Sequence, residues 1–139
     1  MSLNTEHLGR CIQTLESSLT LLNQSEVGST EYEIYRNAAI KGFELTLEIS
    51  GKLLKKTIKP FFATPKAVDR LMFKDIFRYG AKHDILSLEE VERWFSYRDN
   101  RNVTSHDYGE GFAEKTLALL PGFVADAKRL REKLDRADT

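Results

Sequence analysis

The sequence of 139 residues has few cysteines, prolines and glycines: one, three and eight, respectively. The single Cys11 excludes a disulfide within the chain, which favours a reducing compartment. The 21 basic and 21 acidic residues exclude a globally basic nucleic-acid coat, and an apolar content of 41% excludes a disordered or collagen-like chain. No apolar run approaches the roughly 18 residues of a membrane span, and residues 1–10 lack a secretory leader pattern. We expect a soluble, unprocessed, cytoplasmic protein.

The apolar pattern predicts long helices in one domain over residues 1–139. From Leu8 to Leu22 apolar residues recur at alternating intervals of four and three, which predicts a helix with one apolar stripe. A second predicted helix opens after residues 28–30 and runs to Lys59; it would be about 45 Å long and carries a broad apolar face, so we expect it to be central. Because a small globule cannot surround such a helix, we predict an all-α, antiparallel up-and-down bundle of about five helices.

Capping residues predict where the later helices begin. Thr64 and Pro65 fit the N-cap and first position of a third helix that ends near Gly80. Ser87 and Glu90 have the spacing of a capping box, which predicts a fourth helix that ends near residue 102.

The last helix is predicted to begin around residues 108–111. It contains Pro121, which predicts either a kink or a restart, because proline removes a backbone donor from a helix interior. No alternating pattern of strand length is found along the chain.

The junction between the fourth and last helices, residues 99–108, holds the greatest variety of functional groups in the sequence. Arg101 and His106 are five positions apart, which on an unbroken helix would point them about 140° apart. They converge only if the helix breaks between them or if a second copy of the chain supplies one of them. The structural alternative is that Arg101 binds the last carbonyls of one helix and that His106 lies beside the start of the next.

Residues 101–108, RNVTSHDY, resemble the signature of HEPN-type proteins: Arg, four residues, His, one residue, Tyr. The resemblance is to the HepT toxins and related nucleotidyltransferase substrate-binding proteins in particular, and it extends to residues 43–48, Trp94 and residues 120–123. It implies a helical bundle that forms a homodimer and brings two copies of the motif into a shared cleft. It also implies a metal-independent ribonuclease toxin whose partner, a small nucleotidyltransferase, acts as antitoxin by adenylylating the motif tyrosine, here Tyr108.

The side chains of the motif suit RNA cleavage. A neutral imidazole, His106, can draw the proton from a 2′-hydroxyl, and a guanidinium, Arg101, can stabilise the charge on the phosphate. Asn102 could orient either group, and Asp99 could hold the imidazole tautomer or simply solvate the helix end. An AMP group on Tyr108 would place a phosphate beside Arg101 and compete with substrate.

Basic residues are concentrated between Lys52 and Lys82, where nine of them accompany two acidic residues. Five recur at intervals of four along the predicted third helix and would form one row: Lys66, Arg70, Lys74, Arg78 and Lys82. Like charges at this spacing cost roughly 0.2–0.5 kcal/mol per pair, a penalty that an RNA backbone or an acidic partner would remove. The alternative is a solvated face whose long side chains cover Phe73 and Phe77.

Two further predictions concern metals and the class of function. His7 and His83 have no cysteine or second histidine at metal-binding spacing, so we expect neither a metal site nor a cofactor. The alternative to a ribonuclease is a non-catalytic subunit that presents substrate, or its own Tyr108, to the nucleotidyltransferase. Catalysis requires Arg101 and His106 to meet, whereas presentation requires only an exposed tyrosine and a docking face.

Overall fold

The computed structural model describes the backbone of residues 3–104 and 110–137 and the side chains of residues 3–101 and 113–137. In these ranges the regular secondary structure is helical, which confirms the predicted all-α class, and no helix there is long and apolar enough to cross a membrane. The described part of the chain forms six helices and one 3₁₀ turn: α1 (Glu6–Asn23), α2 (Thr30–Ile58), the 3₁₀ turn (Lys59–Phe61), α3 (Pro65–Asp69), α4 (Phe73–Lys82), α5 (Leu88–Thr104) and α6 (Glu110–Ala137).

The long helix α2 is central, as its broad apolar face predicted. Its start is capped by Ser29, whose hydroxyl oxygen accepts a hydrogen bond from the backbone N–H of Tyr32 at 3.1 Å. Along its length α2 contacts α1, α4, α5 and α6, and Phe43, Leu47 and Leu54 on its inner face are fully buried. These four helices are therefore arranged around α2.

Aromatic side chains join four helices in the core. Phe77 of α4 stacks on Trp94 of α5 with 4.9 Å between ring centroids, and Phe43 of α2 meets Phe123 of α6 edge-on at 4.8 Å. Trp94 also contacts Phe123 at 5.5 Å, and all four rings are fully buried. Each large apolar side chain contributes about 1.5–3 kcal/mol on full burial, so this cluster holds α5 firmly against its neighbours.

The predicted single helix from Thr64 to Gly80 is wrong, because the chain forms two helices there. The start is as predicted: Thr64 accepts a hydrogen bond from the backbone N–H of Ala67 at 3.3 Å. The backbone then becomes extended at Met72, with φ −83° and ψ 166°. A carboxylate oxygen of Asp75 accepts a hydrogen bond from the N–H of Met72 at 3.2 Å, and this contact caps the second helix, α4.

The predicted capping box of α5 is confirmed. The N–H of Ser87 donates to the carboxylate of Glu90 at 3.0 Å, and the N–H of Glu90 donates to the hydroxyl of Ser87 at 3.1 Å. The helix continues to Thr104, slightly beyond the predicted end near residue 102.

Helix α6 runs through Pro121 without interruption, so the restart predicted as one of two outcomes is wrong. Pro121 is exposed, whereas Leu120 and Phe123 beside it are fully buried. Packing of these side chains offsets the cost of a proline in a helix interior, about 3 kcal/mol or more, which combines the lost backbone hydrogen bond and the clash of the ring with the preceding turn. A bend within the continuous helix, the other outcome, stays a prediction.

Candidate functional site

The last turns of α5 place the start of the motif beside the core. Tyr97 packs against Trp94 with 5.6 Å between ring centroids. Asn100 is buried and donates from its amide to the hydroxyl oxygen of Thr116 in α6 at 2.9 Å. These contacts fix one face of α5 against the core, so the backbone position from which the Arg101 side chain extends is also fixed.

Arg101 is partly buried, and its Nε has no hydrogen-bond partner within the described part of the chain. A buried donor without a partner typically costs about 1–3 kcal/mol. A guanidinium presents its N–H groups as a planar fork that matches two oxygens of a phosphate or carboxylate. The environment of Arg101 is therefore suited to an anionic ligand.

The remaining motif residues cannot be placed against Arg101. His106 and Tyr108 lie outside the described residues, and so does the side chain of Asn102. The convergence of Arg101 with His106, and the exposure of Tyr108, stay predictions.

Asp99 is brought together with one residue of the predicted basic row. Its carboxylate is 2.8 Å from the ammonium group of Lys74, and both side chains are partly exposed to solvent. Exposed ion pairs contribute only about 0.2–1 kcal/mol, so this contact orients the two side chains more than it stabilises the fold. Asp99 is thus tied to α4, and its predicted support of an imidazole stays untested.

The five basic residues of the predicted row do not share one helix, which corrects that prediction. Lys66 belongs to α3, Arg70 follows the end of α3, and Lys74, Arg78 and Lys82 lie on α4. The extended backbone at Met72 separates the two groups. The row is therefore three residues long on a single helix face.

The α4 cations cover different aromatic rings from those predicted. The Lys74 ammonium and the Arg78 guanidinium lie 5.4 and 5.0 Å from the ring centroid of Phe95, and Lys82 lies 5.6 Å from that of Tyr79. Cations over ring faces are attracted by about 0.5–1 kcal/mol at exposed sites. The contacts with Phe95 hold Lys74 and Arg78 on the side of α4 that faces α5, whereas Lys82 covers a ring of its own helix.

Sequence reasoning missed Arg98, which lies beside Arg101. The Arg98 guanidinium carbon is 5.2 Å from the ring centroid of Phe73 in α4. Burial and then the charge of Arg101 lower the pKa of Arg98, and the carboxylate of Glu48 in α2 opposes this shift. The available signal was the spacing of three between the two arginines, which places them on one side of a helix.

Sequence reasoning also missed a buried carboxylate, Asp126 of α6. It accepts hydrogen bonds from Arg93 at 2.9 and 3.0 Å, from the hydroxyl of Tyr97 at 2.5 Å and from Arg129 at 2.5 Å. Although burial raises the pKa of Asp126, these donors outweigh it and hold the pKa below its ordinary value. The sequence signal for this residue was its position three after Phe123, on the face of α6 whose apolar residues pack into the core.

Comparison with known proteins extends the likeness beyond the motif. The family model for proteins like the nucleotidyltransferase substrate binding protein matches residues 3–136. A Haemophilus influenzae protein named probable ribonuclease HepT is 26% identical over 136 residues, which are 95% of this chain and 92% of the relative.

Two solved structures have a similar fold. One, from Haemophilus influenzae, is described as revealing the fold of a substrate binding domain of a nucleotidyltransferase; it has a TM-score of 0.80 and 25% identity and covers 94% of this chain and 98% of its own. The other, from Thermus thermophilus, has a TM-score of 0.65 and 24% identity and covers 86% of this chain and 98% of its own. With a family model that matches nearly the whole chain, this protein belongs to the nucleotidyltransferase substrate-binding protein-like family.

Proposed function

We propose that this chain is a HepT-like, metal-independent endoribonuclease, the toxin of a toxin–antitoxin pair. The observation that carries the proposal is the guanidinium of Arg101, partly buried at the end of α5 with an Nε that no described residue satisfies. It stands five positions before His106 and seven before Tyr108. Membership of the family, and a relative named probable ribonuclease HepT, support the same assignment.

The proposed reaction uses two groups of the motif. The neutral imidazole of His106 takes the proton from a 2′-hydroxyl as its oxygen attacks the adjacent phosphorus. The bond from phosphorus to the 5′-oxygen then breaks, which leaves a cyclic 2′,3′-phosphate and, after the leaving oxygen takes a proton from water, a 5′-hydroxyl. The imidazolium of His106 returns its proton to water. Arg101 donates to two phosphate oxygens as charge develops on them.

The partner in this proposal is a companion nucleotidyltransferase that acts in the cytoplasm. Its transfer of AMP from ATP to the hydroxyl oxygen of Tyr108, with release of pyrophosphate, would add a negatively charged phosphate beside Arg101 and occupy the place of the substrate phosphate. Five basic residues would guide RNA or this partner to the site, although only the last three share α4: Lys66, Arg70, Lys74, Arg78 and Lys82.

A second candidate function is a non-catalytic subunit that presents substrate, or Tyr108, to the nucleotidyltransferase. The observation that favours it is the similarity to a solved protein described as a substrate binding domain of a nucleotidyltransferase. This function requires no meeting of Arg101 and His106.

Expression without the partner tests the proposal. We expect growth arrest, and we expect His106→Ala to relieve it and to lower the RNA cleavage rate of the purified protein at least about 100-fold, since general base catalysis typically supplies 10²–10⁴-fold. His83→Ala is the matched control, because His83 stacks on Phe61 with 3.8 Å between ring centroids and is not part of the motif. Far-UV circular dichroism checks that both variants remain helical.

Two results would count against the ribonuclease. Arrest and cleavage that persist in His106→Ala would remove the proposed base. A wild-type protein that cleaves no RNA but accepts AMP on Tyr108 from the nucleotidyltransferase would support the presenting subunit instead.

A further inference from the structure

Arg98 rests on an aromatic support that is anchored in the core. Its guanidinium lies over Phe73, which stacks on Phe77 with 4.5 Å between centroids, and Phe77 in turn stacks on Trp94. Phe77 and Trp94 are fully buried. A guanidinium held over a fixed ring loses less side-chain freedom when it binds a ligand.

A close approach of α2 and α4 positions this support. A Cβ placed on Gly51 of α2 would lie 3.1 Å from two ring carbons of Phe73, so the absence of a side chain at Gly51 lets the ring lie against α2. Three helices therefore determine where Arg98 is held: α2 through Gly51, α4 through Phe73, and α5, which carries Arg98 itself.

The two arginines form a concentration of positive charge. Residues three apart on a helix have Cβ atoms about 5–6 Å apart, so Arg98 and Arg101 lie side by side. The nearby carboxylates are shared with lysines: Glu48 is 3.3 Å from Lys52 and Asp99 is 2.8 Å from Lys74. An anion would relieve the repulsion between the two guanidinium groups and satisfy Nε of Arg101.

We propose that Arg98 is a second anion-binding side chain at the end of α5, which holds the RNA phosphate next to the one that Arg101 contacts. This inference rests on the proposed ribonuclease function and identifies a second side chain with which that site binds its substrate. Single-stranded RNA fits because successive phosphates present two anions to two adjacent planar donors. Arg98 is a binding residue here and takes no part in the chemical step.

Binding of a short 2′-O-methylated RNA tests the proposal, because this probe lacks the attacking hydroxyl and cannot be cleaved. Fluorescence anisotropy over a salt series gives the affinity and its salt dependence. We expect Arg98→Gln to weaken binding about tenfold and to reduce the slope of log K against log salt by about 0.7, the value for one phosphate contact on a single strand.

The control variant is Arg36→Gln, which removes the same charge from α2. Arg36 forms an ion pair with Glu33 at 3.7 Å and lies about 18 Å along the helix from Glu48. We expect its affinity and salt slope to match those of the wild type.

Steady-state cleavage of unmodified RNA separates binding from chemistry. We expect Arg98→Gln to raise KM about tenfold while kcat changes less than about threefold, whereas Arg101→Gln lowers kcat. Should Arg98→Gln fail to fold, Arg98→Lys serves instead: it keeps the charge and the salt slope but binds RNA about threefold more weakly, since it lacks the planar fork.

The outcomes distinguish this inference from the function on which it rests. Unchanged affinity and slope in Arg98→Gln, in a protein that binds and cleaves RNA, would overturn the role of Arg98 alone. RNA binding that depends on Arg98 without any cleavage would support the anion site and overturn the ribonuclease. A wild-type protein that does not bind RNA would overturn both.

Discussion

At the scale of single residues, Asp126 is a carboxylate whose own side chain is almost completely buried. Its side chain is 1% exposed and accepts hydrogen bonds from Arg93, Tyr97 and Arg129. Burial and the hydrogen bond to Asp126 raise the pKa of Tyr97, so the phenol keeps its proton and remains a donor. Because Tyr97 lies one turn before Arg101, this carboxylate ties the start of the motif to α6.

Removing the charge of Asp126 should destabilise the protein. We expect Asp126→Asn to lower the free energy of unfolding by about 2–3 kcal/mol, since an amide is a poorer acceptor for two arginines and a phenol. The loss stays below that of a fully buried pair because both arginines are about half exposed. Urea denaturation measures it, and Asp99→Asn, which removes an exposed carboxylate, should cost less than about 1 kcal/mol.

The same carboxylate predicts a pH dependence. The pKa of Asp126 is lower in the folded protein than its ordinary value of 3.8, so its contribution to stability is fully present above that value and is lost as the pH falls through the folded pKa. The difference in unfolding free energy between the wild type and Asp126→Asn should therefore shrink between neutral pH and pH values below the ordinary pKa. An equal difference across this range would contradict the assignment.

At the scale of elements, the break between α3 and α4 decides where the basic residues lie. Because α4 begins anew after Met72, two residues of its row lie along α5: Lys74 pairs with Asp99, and Arg78 lies over Phe95. The row therefore leads toward the end of α5 that carries Arg101. A single helix through these positions would instead have carried all five cations in one slanted row.

Neutralising the α4 row tests whether it guides RNA. We expect the triple variant Lys74→Gln, Arg78→Gln, Lys82→Gln to reduce the salt slope of RNA binding by about 2, that is, about 0.7 for each phosphate that is no longer neutralised. The control removes three exposed cations from α1, α2 and α6: Arg10→Gln, Lys41→Gln and Lys128→Gln. If both triple variants reduce the salt slope equally, the effect comes from the net charge of the protein, and the α4 row does not guide RNA.

At the scale of the whole molecule, the proposed site depends on whether Arg101 and His106 come from one copy of the chain or from two. Arg101 and His106 would point about 140° apart on one unbroken helix. Within one chain, the two groups meet only if the helix breaks between them. A homodimer with a two-fold axis offers a second route, in which one copy supplies the guanidinium and the other the imidazole.

Mixing two inactive variants distinguishes the two routes. If the groups come from different copies, a dimer of Arg101→Ala with His106→Ala contains one intact pair, because the two wild-type side chains meet at the same site. Equal amounts of both variants should then recover about a quarter of the wild-type sites, since half of the dimers are mixed and each holds one intact site. No recovery in dimers shown by mass spectrometry to be mixed would place both groups in one chain.

The sequence by itself determined the features that depend on neighbours a few positions away. Helical periodicity predicted the all-α class and the central place of α2, and the capping box predicted the start of α5 at Ser87. The spacing of Arg101, His106 and Tyr108 identified the resemblance to a family to which the chain belongs. Caps and periodicity are local, so they can be read before any packing is known.

Only the tertiary structure decided which distant residues meet. The contact of the Arg98 guanidinium with the ring of Phe73 joins α5 to α4, and the pairing of Arg93 with Asp126 joins residues 33 positions apart. The unbroken passage of α6 through Pro121 likewise depends on burial of the side chains around it. Packing against other helices selects such contacts. The free energy gained when several apolar side chains are buried together exceeds the local conformational preferences of the backbone, which are about 1–3 kcal/mol.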